Sequence, residues 1–353
     1  MELGLFIPGH QLEPVGAKEF YRQIVDQAVL ADEIGIDMVW LAEHFLLNYV
    51  AIPDPLQLCS LILDRTSKIK AGVAVFIAPN HHPLKLAAQM AQIDVTSDGR
   101  FMAAMGRGAS GYELRQFNLI RPEAESRSYF REHFDIMVRA WRSEKSIKHE
   151  GQHFNFNNAT LVPRPHTPDA PLWLAALTEG SATGNVFTCC DLDTPVRIIH
   201  SPFREPFTFV EKVYRAFEAA LAQRNVAREE AKFAVNRVAF CAETQEQVRA
   251  MLPAVRRMHR GLVGMLADEE SVVDGKLEIK PVANEPTDEE ILTNTLMGTP
   301  DTLVEHIQRY ADLGVDHLSL YMNVGQPHDQ IVSSMKLFGE KVLPRLREKG
   351  IVA

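Results

Sequence analysis

The stretch IKAGVAVFIAPNHHPLKLAAQMAQIDVTSDGRFMAAMGRG (69–108) decides the fold. Its first part, IKAGVAVFIAP (69–79), is β-branched and apolar on both faces, as a strand covered on both sides must be. HPLKLAAQMAQIDVTS (82–97) then repeats apolar residues at helical spacing, with Pro83 in the first turn, where its missing N–H costs nothing. RFMAAMG (100–106) returns to a short apolar strand. Strand, helix and strand in this order make a parallel βαβ unit.

The same alternation extends in both directions. Toward the N-terminus, LGLFI (3–7) and DMVWLA (37–42) read as strands. FYRQIVDQAVLADEIG (20–35) and PLQLCSLILDRT (55–66) read as the helices after them, the first stopping on Gly35. Toward the C-terminus follow the helix SRSYFREHFDIMVRAWRS (126–143), the strands APLWLAAL (170–177) and PVRIIH (195–200), and a helix over 204–224. KFAVNRVAFCA (232–242) and DHLSLYM (316–322) are the last two strands, with helices over 300–313 and 329–350. GQHFNFNNATLV (151–162) breaks the rhythm as a hairpin over Asn157-Asn158.

Eight strands in this pattern predict an α/β chain folded as a (β/α)8 TIM barrel, with residues 1–353 in a single domain. No G-x-G-x-x-G follows the first strand, which argues against a doubly wound open sheet. Residues 267–296 are acidic, contain two prolines and show little periodicity. The expectation is a mobile insertion after the seventh strand, placed as a lid over the barrel mouth.

Composition narrows the partners. The 37 basic and 46 acidic side chains give a net charge of −9, which argues against nucleic acid and against a polybasic membrane contact. No run approaches the roughly 20 apolar residues of a membrane span. The opening MELGLFIPGH has no basic leader, and the four cysteines follow neither a disulfide nor a metal-site spacing. The expectation is a cytoplasmic, reduced, metal-free protein.

In a barrel, residues at the C-terminal ends of the strands face the active site. WLAEHFLLN (40–48) ends a strand on Glu43 and His44, an ionisable pair suited either to moving protons or to structure alone. GRGASG (106–111) combines glycines, whose amides can approach an anion, with Arg107, whose planar fork suits phosphate. TEGSAT (178–183) leaves a strand and opens a helix, a second place for phosphate, with Glu179 expected to orient Arg107. His81 and His82 lack further ligands at a useful spacing and read as capping or packing residues. Phe6, Phe45, Phe76 and Phe203 around the mouth predict a fairly apolar ligand.

These residues resemble the luciferase-like flavin monooxygenases, most closely the bacterial luciferase α-subunit and its single-chain relatives. The strand ending in Glu43-His44, the run 78–108 and the terminal GTPDTLVEHIQRYADLGVDHLSL carry the resemblance, which covers nearly the whole chain. It implies that Arg107 grips the phosphate of FMN, flanked by Ala109, and that Glu179, Gly180, Ser181 and Thr183 form the second phosphate loop. It also implies a non-prolyl cis peptide at Ala74-Val75 beneath the flavin, proton handling by His44 with Glu43 beside it, and a mobile loop at 267–296.

The activity implied is a two-component monooxygenase, which takes reduced FMN as co-substrate from a separate NAD(P)H:flavin reductase. With O2 it forms a flavin C4a-peroxide and oxygenates a small, fairly apolar organic substrate. A homodimer or heterodimer is also implied. Gly106 stands where luciferase has a cysteine, Gly180 replaces a hydroxyl, and TGNVFTCCDLDTP (183–195) reads as an insertion. Two other readings are a deazaflavin-dependent dehydrogenase or reductase of the same superfamily, and a non-catalytic supporting subunit.

Overall fold

The computed structural model describes residues 1–12, 15–266 and 271–352. Eight parallel strands close on themselves: β1 Glu2–Ile7, β2 Met38–Leu41, β3 Lys70–Ile77, β4 Phe101–Gly106, β5 Leu172–Ala176, β6 Arg197–Phe203, β7 Lys232–Cys241 and β8 His317–Tyr321. Each pairs with the next, and β8 returns to β1 with Leu5 opposite Leu320. This is the (β/α)8 barrel expected from the alternation.

Strand periodicity divides the core in two. Leu3, Leu5 and Ile7 of β1 point outward and join the cluster beneath the helices, whereas Phe6 joins the inner cluster with Trp40, Met102 and Trp173. Gly4 and Gly72 make room inside: a Cβ at Gly72 would stand 2.9 Å from the Trp40 ring. The lower barrel is therefore packed with side chains.

Several elements differ from expectation. The hairpin pairs Ile147–Glu150 with Asn155–Ala159, so it turns at 151–154 and Asn157-Asn158 lie within its second strand. Glu132, on the preceding helix, accepts the turn amides of His153 at 3.0 Å and Phe154 at 2.9 Å, a long-range support that local turn chemistry does not reveal. The last helix is not continuous: it runs His328–Leu337, widens over Phe338–Val342 and resumes at Leu343–Glu348. Pro344 cannot donate into a regular helix, which accounts for the wide turn before it. TGNVFTCCDLDTP lies largely in Glu179–Asp191, the helix that follows β5.

After β7 the chain forms the helices Gln245–Ala250 and Leu252–Leu266, the small hairpin Val272–Val273 with Lys276–Leu277, and the helix Asp288–Asn294. Leu296–Gly298 then adds in parallel to β7. The stretch expected to be a long polar loop thus carries a hairpin and a helix, while residues 267–270 lie outside the described residues.

Helix Leu252–Leu266, unassigned from sequence, packs over the mouth. Tyr49 Oη donates to the Met258 carbonyl at 2.5 Å, and a Cβ at Gly261 would stand 2.1 Å from the Tyr49 ring, so only glycine allows that approach. The hairpin is tied to the same loop: Asn48 donates its N–H to Gly275 at 2.8 Å and accepts that of Leu277 at 3.0 Å.

Candidate active site

One half of the mouth is filled and the other is lined by short side chains. On the filled side, Phe6, Phe203 and Tyr321 form a triangle of rings with centroids 5.2 to 5.7 Å apart. His10 is buried against them, with Nδ1 2.5 Å from the Tyr49 carbonyl and Nε2 on the Tyr321 hydroxyl. Burial lowers its pKa to about 4, so it is neutral near pH 7.

On the other side, Ala74, Val75, Ala104 and Ala175 line the upper inner face of β3, β4 and β5. The Ala74–Val75 peptide is cis, and the register of β3 against β4 shifts there. A Cβ at Gly106 would stand 2.7 Å from Val75 Cγ2, so Gly106 lets Val75 lie across it. The result is a low floor beside the ends of β4 and β5.

Glu43 and His44 part company. The Glu43 carboxylate, 2% exposed, accepts the Ile77 N–H at 2.7 Å and lies 2.7 Å from His81 Nε2. It ties the end of β2 to the end of β3 and makes no pair with His44. His44 Nδ1 instead lies 2.8 Å from Oε2 of Glu113, a fully buried carboxylate that also accepts the N–H of Phe45. Glu113 sits in the short helix Gly111–Gln116, capped by Ser110. With Nδ1–H given to this carboxylate, Nε2 of His44 is the nitrogen left for chemistry. His82 makes no side-chain cap and packs on Phe154, a packing role.

Sequence reading missed Glu113. The S-x-x-E spacing of Ser110 and Glu113 is visible as a helix start, but its partner on another strand end is not.

Arg107 leaves β4 next to the loop that leaves β5, since these strands are neighbours. Its Nη1 donates to Glu123 at 2.9 Å, so Glu123 and not Glu179 orients it. Glu179 and Gly180 are exposed in the first turn of their helix, and a Cβ at Gly180 would meet nothing within 4 Å. Thr178 and Ser181 form a capping box: Thr178 N–H donates to Ser181 Oγ at 2.9 Å, and Ser181 N–H to Thr178 Oγ1 at 3.2 Å. Ser181 is thereby committed to fixing the helix end, and the first-turn amides of Glu179 and Gly180 have no partner within the helix. Ala109 is exposed and Thr183 half-buried. A cavity of about 180 Å³ continues beside Arg107, lined by Pro79, Gly108, Leu114, Arg121 and Tyr129. Among the described residues no group of three metal-ligating side chains converges, and no helix is long and apolar enough to cross a membrane.

A parallel barrel with its ionisable groups, a floor of short side chains and an exposed helix start all at the C-terminal mouth defines a (β/α)8-barrel enzyme. The chain belongs to the luciferase-like monooxygenase family, whose sequence model matches residues 1–317. It is 24% identical to the oxygenase component of a flavin-dependent trigonelline monooxygenase from Acinetobacter baylyi, over 95% of this chain and 92% of that protein. It is 26% identical to an F420-dependent glucose-6-phosphate dehydrogenase from Microbacterium testaceum, over 93% of this chain and 94% of that one. Among solved structures, the oxygenating constituent of 3,6-diketocamphane monooxygenase from Pseudomonas putida, in complex with FMN, shares the fold. It superimposes with a TM-score of 0.78 at 20% identity, covering 98% of each chain.

Proposed function

We propose that this chain is the oxygenase component of a two-component monooxygenase. It takes reduced FMN from a separate NAD(P)H:flavin reductase and uses O2 to oxygenate a small, fairly apolar substrate. The observation that carries the reading is the low floor of Ala74, Val75, Ala104 and Ala175, with Arg107 and the amides of Glu179 and Gly180 at its edge. A flat ring fits the floor, and a phosphate fits between a guanidinium and a helix start. Bound reduced flavin would supply the electrons that activate O2.

The chain's own residues have separable tasks in this reading. Arg107 and the Glu179–Gly180 amides hold the phosphate, and the Thr178–Ser181 box fixes the helix end that presents those amides. Glu113 holds His44 so that Nε2 can give or take a proton at the substrate. Helix Leu252–Leu266, latched on Tyr49, keeps water from the mouth. The trigonelline relative, named as an oxygenase component, supports the two-component assignment.

A second reading, a deazaflavin-dependent dehydrogenase, is favoured by one observation. The cavity beside Arg107 runs on to Arg121, room for an anionic tail that FMN lacks. The supporting-subunit reading is opposed by the intact Arg107, His44 and Glu113. The experiment that separates them compares reduced FMN with the reduced deazaflavin. An oxygenase binds the first and consumes O2; a dehydrogenase binds the second and consumes none.

A further inference from the structure

Among the described residues, nine other than glycine have positive φ, and seven of these are Asn or Asp, which adopt that backbone readily. The other two are Leu46, in the loop after β2, and Phe203, at the end of β6. Both follow the C-terminal direction of their strands to the mouth, on strands four apart in a barrel of eight. For a bulky side chain such a backbone is costly, and it persists only where its surroundings hold it.

Phe203 has φ 23°, and what holds it comes from the next strand. β6 slips in register against β7 between His200 and Phe203, which leaves Phe203 opposite Arg237. Arg237 is 1% exposed, and its side chain donates to the carbonyls of Pro202 at 3.3 Å and Glu205 at 2.7 Å, one on each side of Phe203. The Glu205 N–H donates to the Pro202 carbonyl at 2.6 Å and closes the turn. A buried guanidinium thus braces the stretch of β6 that departs from regular strand geometry.

The ring carried by this turn belongs to the mouth. Its centroid is 5.7 Å from that of Phe6 and 5.2 Å from that of Tyr321. Phe6 and Tyr321 are 4% and 3% exposed, whereas Phe203 is half-buried, so it is the member of the triangle with surface still open. β6 also neighbours β5, the last strand of the floor. Turn chemistry does not call for phenylalanine here, because glycine or asparagine takes a positive φ at less cost. Packing alone calls for a ring as buried as its two neighbours. A strained and braced apolar residue with open surface at a barrel mouth fits a ligand contact, where strain is kept because the side chain is needed in that place.

We propose that Phe203 is a specificity-determining residue: its open surface is the wall that the substrate's apolar body meets, and it sets how bulky that body can be. This deepens the oxygenase reading, on which it rests, by limiting the substrate to compact apolar molecules.

The test is saturation-transfer NMR on the full chain with cyclohexanone as a small probe and adamantanone as a bulky one, each with and without FMN. Phe203→Ala shifts the ratio of the two affinities toward adamantanone by about tenfold or more, the scale on which a pocket reads the size of an apolar group. Phe203→Tyr keeps the wild-type ratio, and Phe203→Trp shifts it the other way. Thermal melting gives a second readout: Phe203→Gly melts above Phe203→Ala, because a positive φ favours glycine. An unshifted ratio in a folded Phe203→Ala protein, or binding of neither probe by wild type, overturns the wall. A Phe203→Gly protein that melts below Phe203→Ala overturns the strain on which the wall stands. If Phe203→Ala fails to fold, Phe203→Leu decides, with a smaller shift in the same direction. FMN titration of the same samples separates the two claims: FMN binding with an unshifted ratio sinks only the wall, and a shifted ratio without FMN binding sinks only the oxygenase reading.

Discussion

His44 Nδ1 stands 2.8 Å from the carboxylate of Glu113, while its neighbour in sequence, Glu43, turns away to the Ile77 amide and His81. The carboxylate that follows β2 and the one on the helix after β4 therefore have different tasks. Glu113 sets which nitrogen of His44 is presented; Glu43 fixes the strand end that follows the Ala74–Val75 peptide.

Glu113→Gln is expected to lower turnover by roughly 10²-fold, the lower end of what positioned acid–base groups contribute, while leaving the affinity for reduced FMN within about threefold. His44→Ala should do the same. Stopped-flow turnover with a parallel FMN titration reads both quantities, and a Glu113→Gln protein with normal turnover removes the dyad from the mechanism.

Arg107→Ala is expected to weaken FMN binding by about tenfold to a hundredfold, the loss of a charge-assisted phosphate contact worth ~1.5–3 kcal/mol. Glu123→Gln should cost far less, because it frees the guanidinium instead of deleting it. Equal losses for the two variants would mean that Arg107 acts through structure and not through the phosphate.

Gly261→Ala places a methyl 2.1 Å from the Tyr49 ring. The clash should destabilise the protein by about 1–3 kcal/mol, as overpacking of a tight contact does. Tyr49→Ala in the same chain should relieve it, so the double variant is more stable than the sum of the singles implies. Thermal melting of the four proteins measures this coupling.

Acid lability should exceed that of an ordinary surface-histidine protein. Burial lowers His10 and His200 to about 4 and His133 to about 3, from the usual 6.5. Between pH 6.5 and 4 the unfolded chain binds protons that the folded chain refuses, so stability falls as pH falls, by roughly 1.4 kcal/mol per unit for each histidine. Urea unfolding at a series of pH values checks the slope; His200→Gln should flatten it, and an unchanged slope contradicts the burial argument.

Much of this was readable in the sequence because barrel strands buried on both faces leave continuous apolar runs, as in GVAVFI (72–77). Eight such runs define the barrel without any knowledge of their neighbours. The helix Leu252–Leu266 had its signal too, in Leu252, Val255, Met258, Leu262 and Met265 at helical spacing, but the acidic segment after it drew the reading toward a loop. Partnerships across strand ends were not legible. Glu113 is 69 residues from His44, and the carboxylate that meets Arg107 is Glu123, not Glu179. Adjacency suggested Glu43 with His44, but consecutive residues at a strand end diverge, and closure of the barrel chooses their partners.

The central claim is most directly tested by anaerobic titration with reduced FMN, followed by rapid mixing with oxygenated buffer. The account predicts saturable binding and a reoxidation slower on the protein than in free solution, with Arg107→Ala losing both. Failure of reduced FMN to bind, together with tight binding of the reduced deazaflavin and no oxygen uptake, would contradict it.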